Sequence, residues 1–71
     1  MNDQLLDGFL QHLVETEKHV SIFLVNGVQL KGKINEFGLS CLCLCSDFGD
    51  QLVMFHAIST IQPGRYDQWR L

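Results

Sequence analysis

An Asn-Gly pair between two runs of β-forming residues is the feature that most constrains what this chain can fold into. Asn26 and Gly27 separate residues 20–25 from residues 28–33, and valine, isoleucine and leucine recur at alternate positions in these runs. Asn-Gly in this setting is the strongest short-range hairpin signal, because both central residues of a type I′ turn need a positive φ. The sequence therefore predicts a hairpin with a type I′ turn at Asn26 and Gly27. Gly32 predicts a bend in its second strand.

The rest of the chain predicts one amphipathic helix and three more strands. Across residues 3–18, with Asn2 or Asp3 as a cap, apolar residues recur at three- and four-residue spacing: Leu5, Leu6, Phe9, Leu10, Leu13 and Val14. Strands are expected at residues 20–25, 28–37, 39–45, 51–55 and 59–62, with a loop at 46–50. The third strand is apolar on both faces, so we expect it to be central and covered on both sides.

This order of elements predicts a mainly β fold with one N-terminal helix, namely a small, bent, partly open five-stranded barrel of the SH3-like type. Residues 1–63 are expected to form the domain, with its helix at about 3–18, and residues 64–71 a short tail. A chain of 71 residues has only a modest core. Its last two strands are short and leave unpaired edges, which invite pairing with another copy.

Composition and motif spacing limit the function classes. There is no run of about 18 apolar residues for a membrane span, and the N-terminus lacks the basic and apolar regions of a signal peptide. The formal net charge of −3 is unusual for a protein that binds phosphates. The three histidines are scattered, and no cysteine or serine has a base partner at a motif spacing. No catalytic residue is therefore predicted.

The cysteines at alternate positions, Cys41, Cys43 and Cys45, are the remaining candidates for chemistry. Along one strand, such neighbours lie about 6.6 Å apart, from a rise of about 3.3 Å per residue. A tetrahedral zinc, with Zn–S distances of about 2.3 Å, needs sulfurs within about 4 Å of one another, and the spacing is at the outer limit for a disulfide. We expect reduced cysteines in a cytoplasmic protein, with no metal and no cofactor.

Two motifs together resemble one known family. The run Val20–Lys33 and the run Phe55–Thr60, in this order after an N-terminal helix, resemble the bacterial Hfq family of RNA-binding Sm-like proteins, from about Asp7 to Pro63. The resemblance implies a ring of six, in which the fourth strand of one subunit pairs with the fifth of the next. It also implies a cytoplasmic RNA chaperone, a post-transcriptional regulator that binds single-stranded small RNAs and messengers.

The family's distal ring face binds purine-rich RNA, and the resemblance assigns ten residues here to that face. They are Phe23, Leu24, Asn26, Gly27, Val28, Gln29, Leu30, Lys31, Gln51 and Thr60. Phenylalanine offers a stacking surface for a base, and glutamine is able to read an adenine edge. Leu24 and Leu30 are also suited to the core. Phe23 and Lys31 look closer to the Gram-positive variants with a two-nucleotide repeat, and a three-nucleotide repeat is the alternative.

The family's proximal pore binds uridine, and this chain departs from the pattern there. The corresponding residues are Phe37, Leu39, Ser40, Phe55 and His56. The usual lysine is replaced by Phe55, and the usual aromatic residue after Phe37 is missing. Loss of one cation per subunit lowers affinity for phosphates, so we expect A-rich RNA to bind better than U-rich RNA.

The family's outer edge carries arginines in some relatives, whereas this chain has Glu15 and Glu17 beside Lys18 and His19. An acidic edge and an altered pore leave one alternative open, namely a protein-interaction or modulatory ring with weak RNA binding. The tail interleaves basic and aromatic residues, which suits either single-stranded RNA or a frayed end. These residues are Arg65, Tyr66, Trp69 and Arg70.

Overall fold

The structure, a computed structural model, describes residues 4–64 and contains one helix followed by five strands, as predicted. The elements are α1 (Gln4–Thr16), β1 (His19–Leu24), β2 (Gln29–Phe37), β3 (Cys41–Ser46), β4 (Gly49–Met54), a short 3-10 turn (Phe55–Ala57) and β5 (Ile58–Pro63). The predicted helix cap and the tail residues 65–71 lie outside the described residues. Within residues 4–64, no helix has the length and apolar character that a membrane span requires.

The five strands form one antiparallel sheet in the order β4-β3-β2-β1-β5. The sheet does not close on itself, because β4 and β5 lie at its two ends. The prediction of a partly open, five-stranded barrel is confirmed, and its free edges belong to the last two strands as expected. Each edge strand has six residues, the same length as β1 and β3.

The core lies on one face of the sheet, under the helix. Alternate residues of the strands point to this inner face, because side chains on a strand alternate with a period of two. Leu10 and Leu13 of α1 cover the face and complete the cluster of buried side chains: Leu10, Leu13, Val20, Ile22, Ile34, Leu42, Leu44 and Val53. Burial of each such side chain contributes about 1.5–3 kcal/mol to the free energy of folding. The predicted apolar stripe of the helix therefore stabilises the fold by packing on the inner face of the sheet.

The hairpin forms at the predicted position, but its turn is not of type I′. The Gly27 amide donates to the Leu24 carbonyl (2.9 Å) and the Leu24 amide donates to the Val28 carbonyl (2.8 Å). A positive φ is found at Gly27 (92°) and not at Asn26. This geometry fits a three-residue loop, in which a turn is followed by a glycine bulge. The Asn26 carboxamide oxygen accepts from the Val28 amide (3.1 Å), which accounts for asparagine at this position.

The helix ends about two residues before its predicted end at residue 18. It ends at Thr16, because the next residue, Glu17, has a φ of 51° in the left-handed region. A non-glycine residue there is uncommon, although a left-handed residue is a frequent helix terminator. The Thr16 hydroxyl donates to the His12 carbonyl in the last turn (2.8 Å). The chain then enters β1 one residue earlier than predicted.

The third strand also differs from its prediction. It begins at Cys41 rather than Leu39, whose side chain is fully exposed in the β2–β3 turn. Among residues 4–64, one face of β3 is fully covered, because Leu42 and Leu44 are buried, whereas the cysteines of the other face are half-buried. The following loop consists of Asp47 and Phe48 alone, since β4 already begins at Gly49. The prediction that β3 is covered on both sides is therefore wrong for residues 4–64, in which its outer face is apolar but only half-buried.

Gly32 is required by a close approach between β2 and β3 rather than by an unusual φ. A Cβ atom at this position would lie 3.1 Å from the Cys45 carbonyl carbon and 3.2 Å from Leu44 Cγ, with the Cys45 carbonyl oxygen closer still. Real Cβ atoms do not approach backbone so closely. Gly32 therefore has a packing role that the sequence did not predict.

Gly32→Ala is expected to lower the free energy of unfolding by about 1–3 kcal/mol, as overpacking of a tight site does. Urea denaturation followed by circular dichroism measures the change. Gly38→Ala is the matched control, because a Cβ there meets no atom within 4 Å, and we expect a change within about 0.5 kcal/mol. Equal stability of the two variants would show that the β2–β3 contact relaxes without cost.

Candidate functional site

The outer face of β1, β2 and β5 carries the central part of the predicted RNA surface. Phe23 of β1 is opposite Gln29 of β2 on one side and Thr60 of β5 on the other. Directly opposed residues of antiparallel strands share a face, with Cβ atoms about 4.5–5.5 Å apart. Ile22 next to Phe23 is fully buried, so Phe23 points away from the core. The fold therefore brings an aromatic ring, a carboxamide and a hydroxyl into one row, the Phe23 row.

Not all of the predicted residues face the same way. Leu24 and Leu30 alternate to the inner side and pack against the buried core. Gln51 is exposed but lies on β4, at the opposite end of the sheet from β5. It is opposite Leu44 of β3, so β3 and β2 separate it from β1. Within one subunit, Gln51 is therefore not part of the Phe23 row.

The hairpin tip is fixed at the end of this surface. The Val25 amide donates to the Ala57 carbonyl (2.8 Å), which ties the tip to the 3-10 turn between β4 and β5. Val28 and Asn26 are exposed there. Lys31 follows two residues after Gln29 on the same face of β2 and is opposite Ser21. Two residues on one strand face are separated by about 6.6 Å, so Lys31 extends the surface from the Phe23 row along β2.

The residues expected at the proximal pore also come together. The Phe55 amide donates to the Ser40 carbonyl (2.9 Å), which joins the 3-10 turn to the β2–β3 turn. Leu39 and His56 are exposed on these two turns, whereas the rings of Phe37 and Phe55 pack against the core. The cluster of turns presents an imidazole and a leucine to solvent. It has no lysine, as the sequence already shows.

The edge formed by the end of the helix contains a cation that sequence reasoning missed. A depression of about 190 Å³ next to the helix end is lined by residues from α1 and β2 and by the residue that follows α1. They include Glu15, Glu17 and Lys33, so a lysine of the second strand lies near the two acidic residues. Lys18 and His19 are exposed on the adjoining segment. Lys33 is half-buried, and only the pairing of β2 with β1 places it opposite His19.

The three cysteines lie on the outer face of β3 and are free thiols. Cys45 is opposite Lys33 on β2 and Asp50 on β4. The pKa of the Cys45 thiol is raised, chiefly because it donates a hydrogen bond to the Asp50 side chain, and also by burial and by the negative charge of Asp50; Lys33 acts in the opposite direction. Among residues 4–64, no group of three or more His, Cys, Asp or Glu residues is arranged to hold a metal ion.

Comparison with known proteins agrees with this geometry. The family model described as Hfq protein matches residues 5–68. The chain belongs to the Hfq family. Three similar relatives are each called RNA-binding protein Hfq, from Bradyrhizobium sp. (strain ORS 278), Rhodopseudomonas palustris (strain TIE-1) and Nitrobacter winogradskyi. Each is 52% identical over 60 residues, which cover 84% of this chain and 73% of the relative.

A solved structure supports the same assignment. The crystal structure of a protein described as the pleiotropic translational regulator Hfq superimposes with a TM-score of 0.80 and 32% sequence identity. The match covers 83% of this chain and 98% of that chain. The predicted resemblance to Hfq is therefore confirmed, and so is the Sm-like fold.

Within this Hfq fold, three polar residues of the outer face were not identified from the sequence. Lys33, Ser21 and Gln62 continue the surface that Phe23 and Lys31 begin, since Ser21 is opposite both Lys31 and Gln62. The alternation of Val20, Ser21, Ile22 and Phe23 already indicated which residues of β1 face outward. The sequence did not reveal which residues of β5 lie opposite those of β1, because a bulge between Phe23 and Leu24 shifts the register between these two strands.

Asp50→Asn is expected to lower the pKa of Cys45, because it removes the carboxylate that favours the neutral thiol. A larger thiolate fraction reacts faster, so alkylation of Cys45 by iodoacetamide at about pH 8 should accelerate several-fold. Mass spectrometry of the peptide that contains Cys45 measures the rate. Asp47→Asn, a neighbouring change of the same charge, should leave the rate near that of the unmodified protein. If Asp50→Asn does not accelerate the reaction, the carboxylate does not control this thiol.

Proposed function

We propose that this chain is an RNA-binding post-transcriptional regulator of the Hfq type, which acts on small RNAs and messengers through its outer sheet face. The observation that carries the proposal is the Phe23 row, in which Gln29, Phe23 and Thr60 stand side by side on three paired strands. The relatives' shared name, RNA-binding protein Hfq, supports the same function. The alternative, a modulatory ring with weak RNA binding, is not favoured, because the relatives are named for RNA binding.

The chemistry of this face suits adenine-containing RNA. The ring of Phe23 offers a stacking surface, and stacking of a base on an aromatic side chain contributes about 1–3 kcal/mol. A glutamine carboxamide both donates and accepts, so it is able to pair with the adenine amino group and ring nitrogen. The Thr60 hydroxyl, 3.3 Å from the Ser59 hydroxyl, is exposed and suited to a base or ribose. We therefore propose a preference for A-rich or purine-rich single strands.

Assembly into a ring would complete this site. The edge strands β4 and β5 lie at opposite ends of the sheet, and a head-to-tail contact between two such edges closes into a ring if the rotation allows. Pairing of β4 from the next subunit against β5 would bring Gln51 of that subunit beside Thr60. The two parts of the predicted site, which lie apart within one subunit, would therefore meet at the boundary between two neighbouring subunits. Six copies on one ring would convert weak contacts into tight binding of long strands.

The pore side is proposed to bind RNA more weakly. Phe55 stands where a lysine would supply a cation, and its ring is occupied in packing against the core. His56 is exposed on the 3-10 turn and offers an imidazole ring to RNA. We expect no enzymatic activity, since the proposed function needs only reversible binding. As a regulator of cellular RNA, the protein would act in the cytoplasm.

Phe23→Ala and Gln51→Ala are each expected to weaken binding of an 18-nucleotide oligo-A, because they remove the stacking surface and the adenine-reading amide. For Phe23→Ala, the loss of about 1–3 kcal/mol per base predicts at least about a fivefold effect. Fluorescence anisotropy at two salt concentrations measures it. Phe48→Ala and Gln11→Ala are the matched controls, because both residues are exposed away from the Phe23 row. Oligo-U binding as tight as oligo-A binding in the unmodified protein would contradict the proposed preference.

Light scattering at micromolar concentration is expected to give a mass about six times the 8.1 kDa of the chain. Met54→Lys should reduce this mass, because a lysine on an edge strand opposes edge-to-edge pairing and Met54 is partly exposed on β4. Phe48→Lys introduces the same charge in the β3–β4 turn, outside the strand, and should leave the mass unchanged. A monomer in the unmodified protein would rule out the ring.

A further inference from the structure

A shallow groove lies beside the Phe23 row, on the same outer face of the sheet. It has a volume of about 320 Å³, at the lower end of the range for ligand sites, about 300–1,000 Å³. Four side chains give it its chemistry: His19, Ser21, Lys31 and Gln62. Ser21 forms its floor, because it is opposite Lys31 on β2 and Gln62 on β5. Ser21 and Phe23 are two residues apart on one strand face. The floor of the groove and the position of Phe23 are therefore separated by about 6.6 Å along β1.

The groove presents hydrogen-bond donors of several kinds. Lys31 carries an ammonium group, Ser21 a hydroxyl, Gln62 a carboxamide and His19 an imidazole N–H. The other lining residues are Val20, Pro63 and Gly64, so none of the acidic residues among residues 4–64 lines the groove. Donors around a cation, without a carboxylate, are the surroundings that a phosphate oxygen or a ribose hydroxyl requires.

The charge distribution favours an anion here more than elsewhere on the described surface. The chain carries a formal net charge of −3 with only five lysine and arginine residues. Two of the five, Lys31 and Lys33, lie on the outer face of β2, where Lys33 is opposite His19. The acidic residues of this region lie outside the groove: Glu36 further along β2, opposite Cys43, Glu15 and Glu17 next to Lys33, and Asp50 on β4. An anionic strand would therefore meet its most favourable field over the groove.

We infer that this groove is a second contact site for RNA, which binds a phosphate and ribose of the strand whose bases lie on the Phe23 row. The inference rests on the proposed function and extends it from bases to backbone. Base contacts select the sequence, whereas phosphate contacts fix the position of the strand. The groove supplies the second kind of contact through Lys31 and its neutral hydrogen-bond donors, and thereby offsets the net negative charge of the chain.

Opposite charges introduced at Gln62 test the groove, since Gln62 does not belong to the Phe23 row. Gln62→Glu has nearly the same shape as glutamine but repels phosphate, and Gln62→Lys attracts it. With an 18-nucleotide oligo-A at about 0.1 M salt, we expect Gln62→Glu to weaken binding at least about tenfold and Gln62→Lys to tighten it. The matched controls, Gln11→Glu and Gln11→Lys, place the same charges on an exposed helix position and should stay within about twofold of the unmodified protein.

Salt dependence provides the second measurement. Each phosphate contact to a single strand contributes about 0.7 to the slope of log affinity against log salt. The slope should fall for Gln62→Glu and rise for Gln62→Lys relative to the Gln11 variants, with ring mass checked by light scattering in every case. If the Gln62 and Gln11 variants bind alike while the unmodified protein binds oligo-A, the groove inference is overturned alone. If the unmodified protein does not bind oligo-A, the proposed function and the inference both fail.

Discussion

The unpaired backbone at the two ends of the sheet is the constraint on which the rest of this structure depends. Five strands in the order β4-β3-β2-β1-β5 do not close, so β4 and β5 each present one row of amide and carbonyl groups without a strand partner among residues 4–64. Exposed edges of this kind favour pairing with another chain. A small domain also gains from such pairing, because it buries only a modest share of its own surface. The proposed ring and the proposed boundary site both follow from these two edges.

The period of two along each strand separates stability from recognition. In β1, Val20 and Ile22 enter the core while Ser21 and Phe23 face outward. The same alternation in β2 directs Leu30 inward and Gln29 and Lys31 outward. A shift of one residue in the register would exchange the two sets, so the packing of the core fixes the composition of the outer face. The RNA surface proposed here is therefore held in place by apolar residues that do not contact RNA.

Charge is arranged locally although the whole chain is acidic. The helix end contributes Glu15 and Glu17, and the β3–β4 region contributes Asp47 and Asp50. The part of the outer face formed by β1, β5 and residues 29–33 of β2 instead combines neutral polar groups with the lysines of β2, and Glu36 lies further along β2, opposite Cys43. Interactions between exposed charges fall off over about 10 Å at 0.1 M salt, so a local surface of this size is able to attract phosphate despite the net charge. Formal net charge alone is a poor guide to the partner of such a protein.

The sequence by itself determined the helix, the five strands and the hairpin at Asn26 and Gly27, because hydrophobic periodicity and turn residues act over short distances along the chain. The family followed from the resemblance carried by two motifs in their order along the chain. The sequence did not determine the turn type, because the hydrogen bond from the Gly27 amide to the Leu24 carbonyl sets a three-residue loop. Nor did it determine the end of the helix, where Glu17 takes a left-handed conformation. The role of Gly32 also depended on contact with a strand distant in the chain. Only the pairing of β1 with both β2 and β5 brought Lys31, Ser21 and Gln62 together, since residues far apart in sequence become neighbours only when the register between strands is fixed.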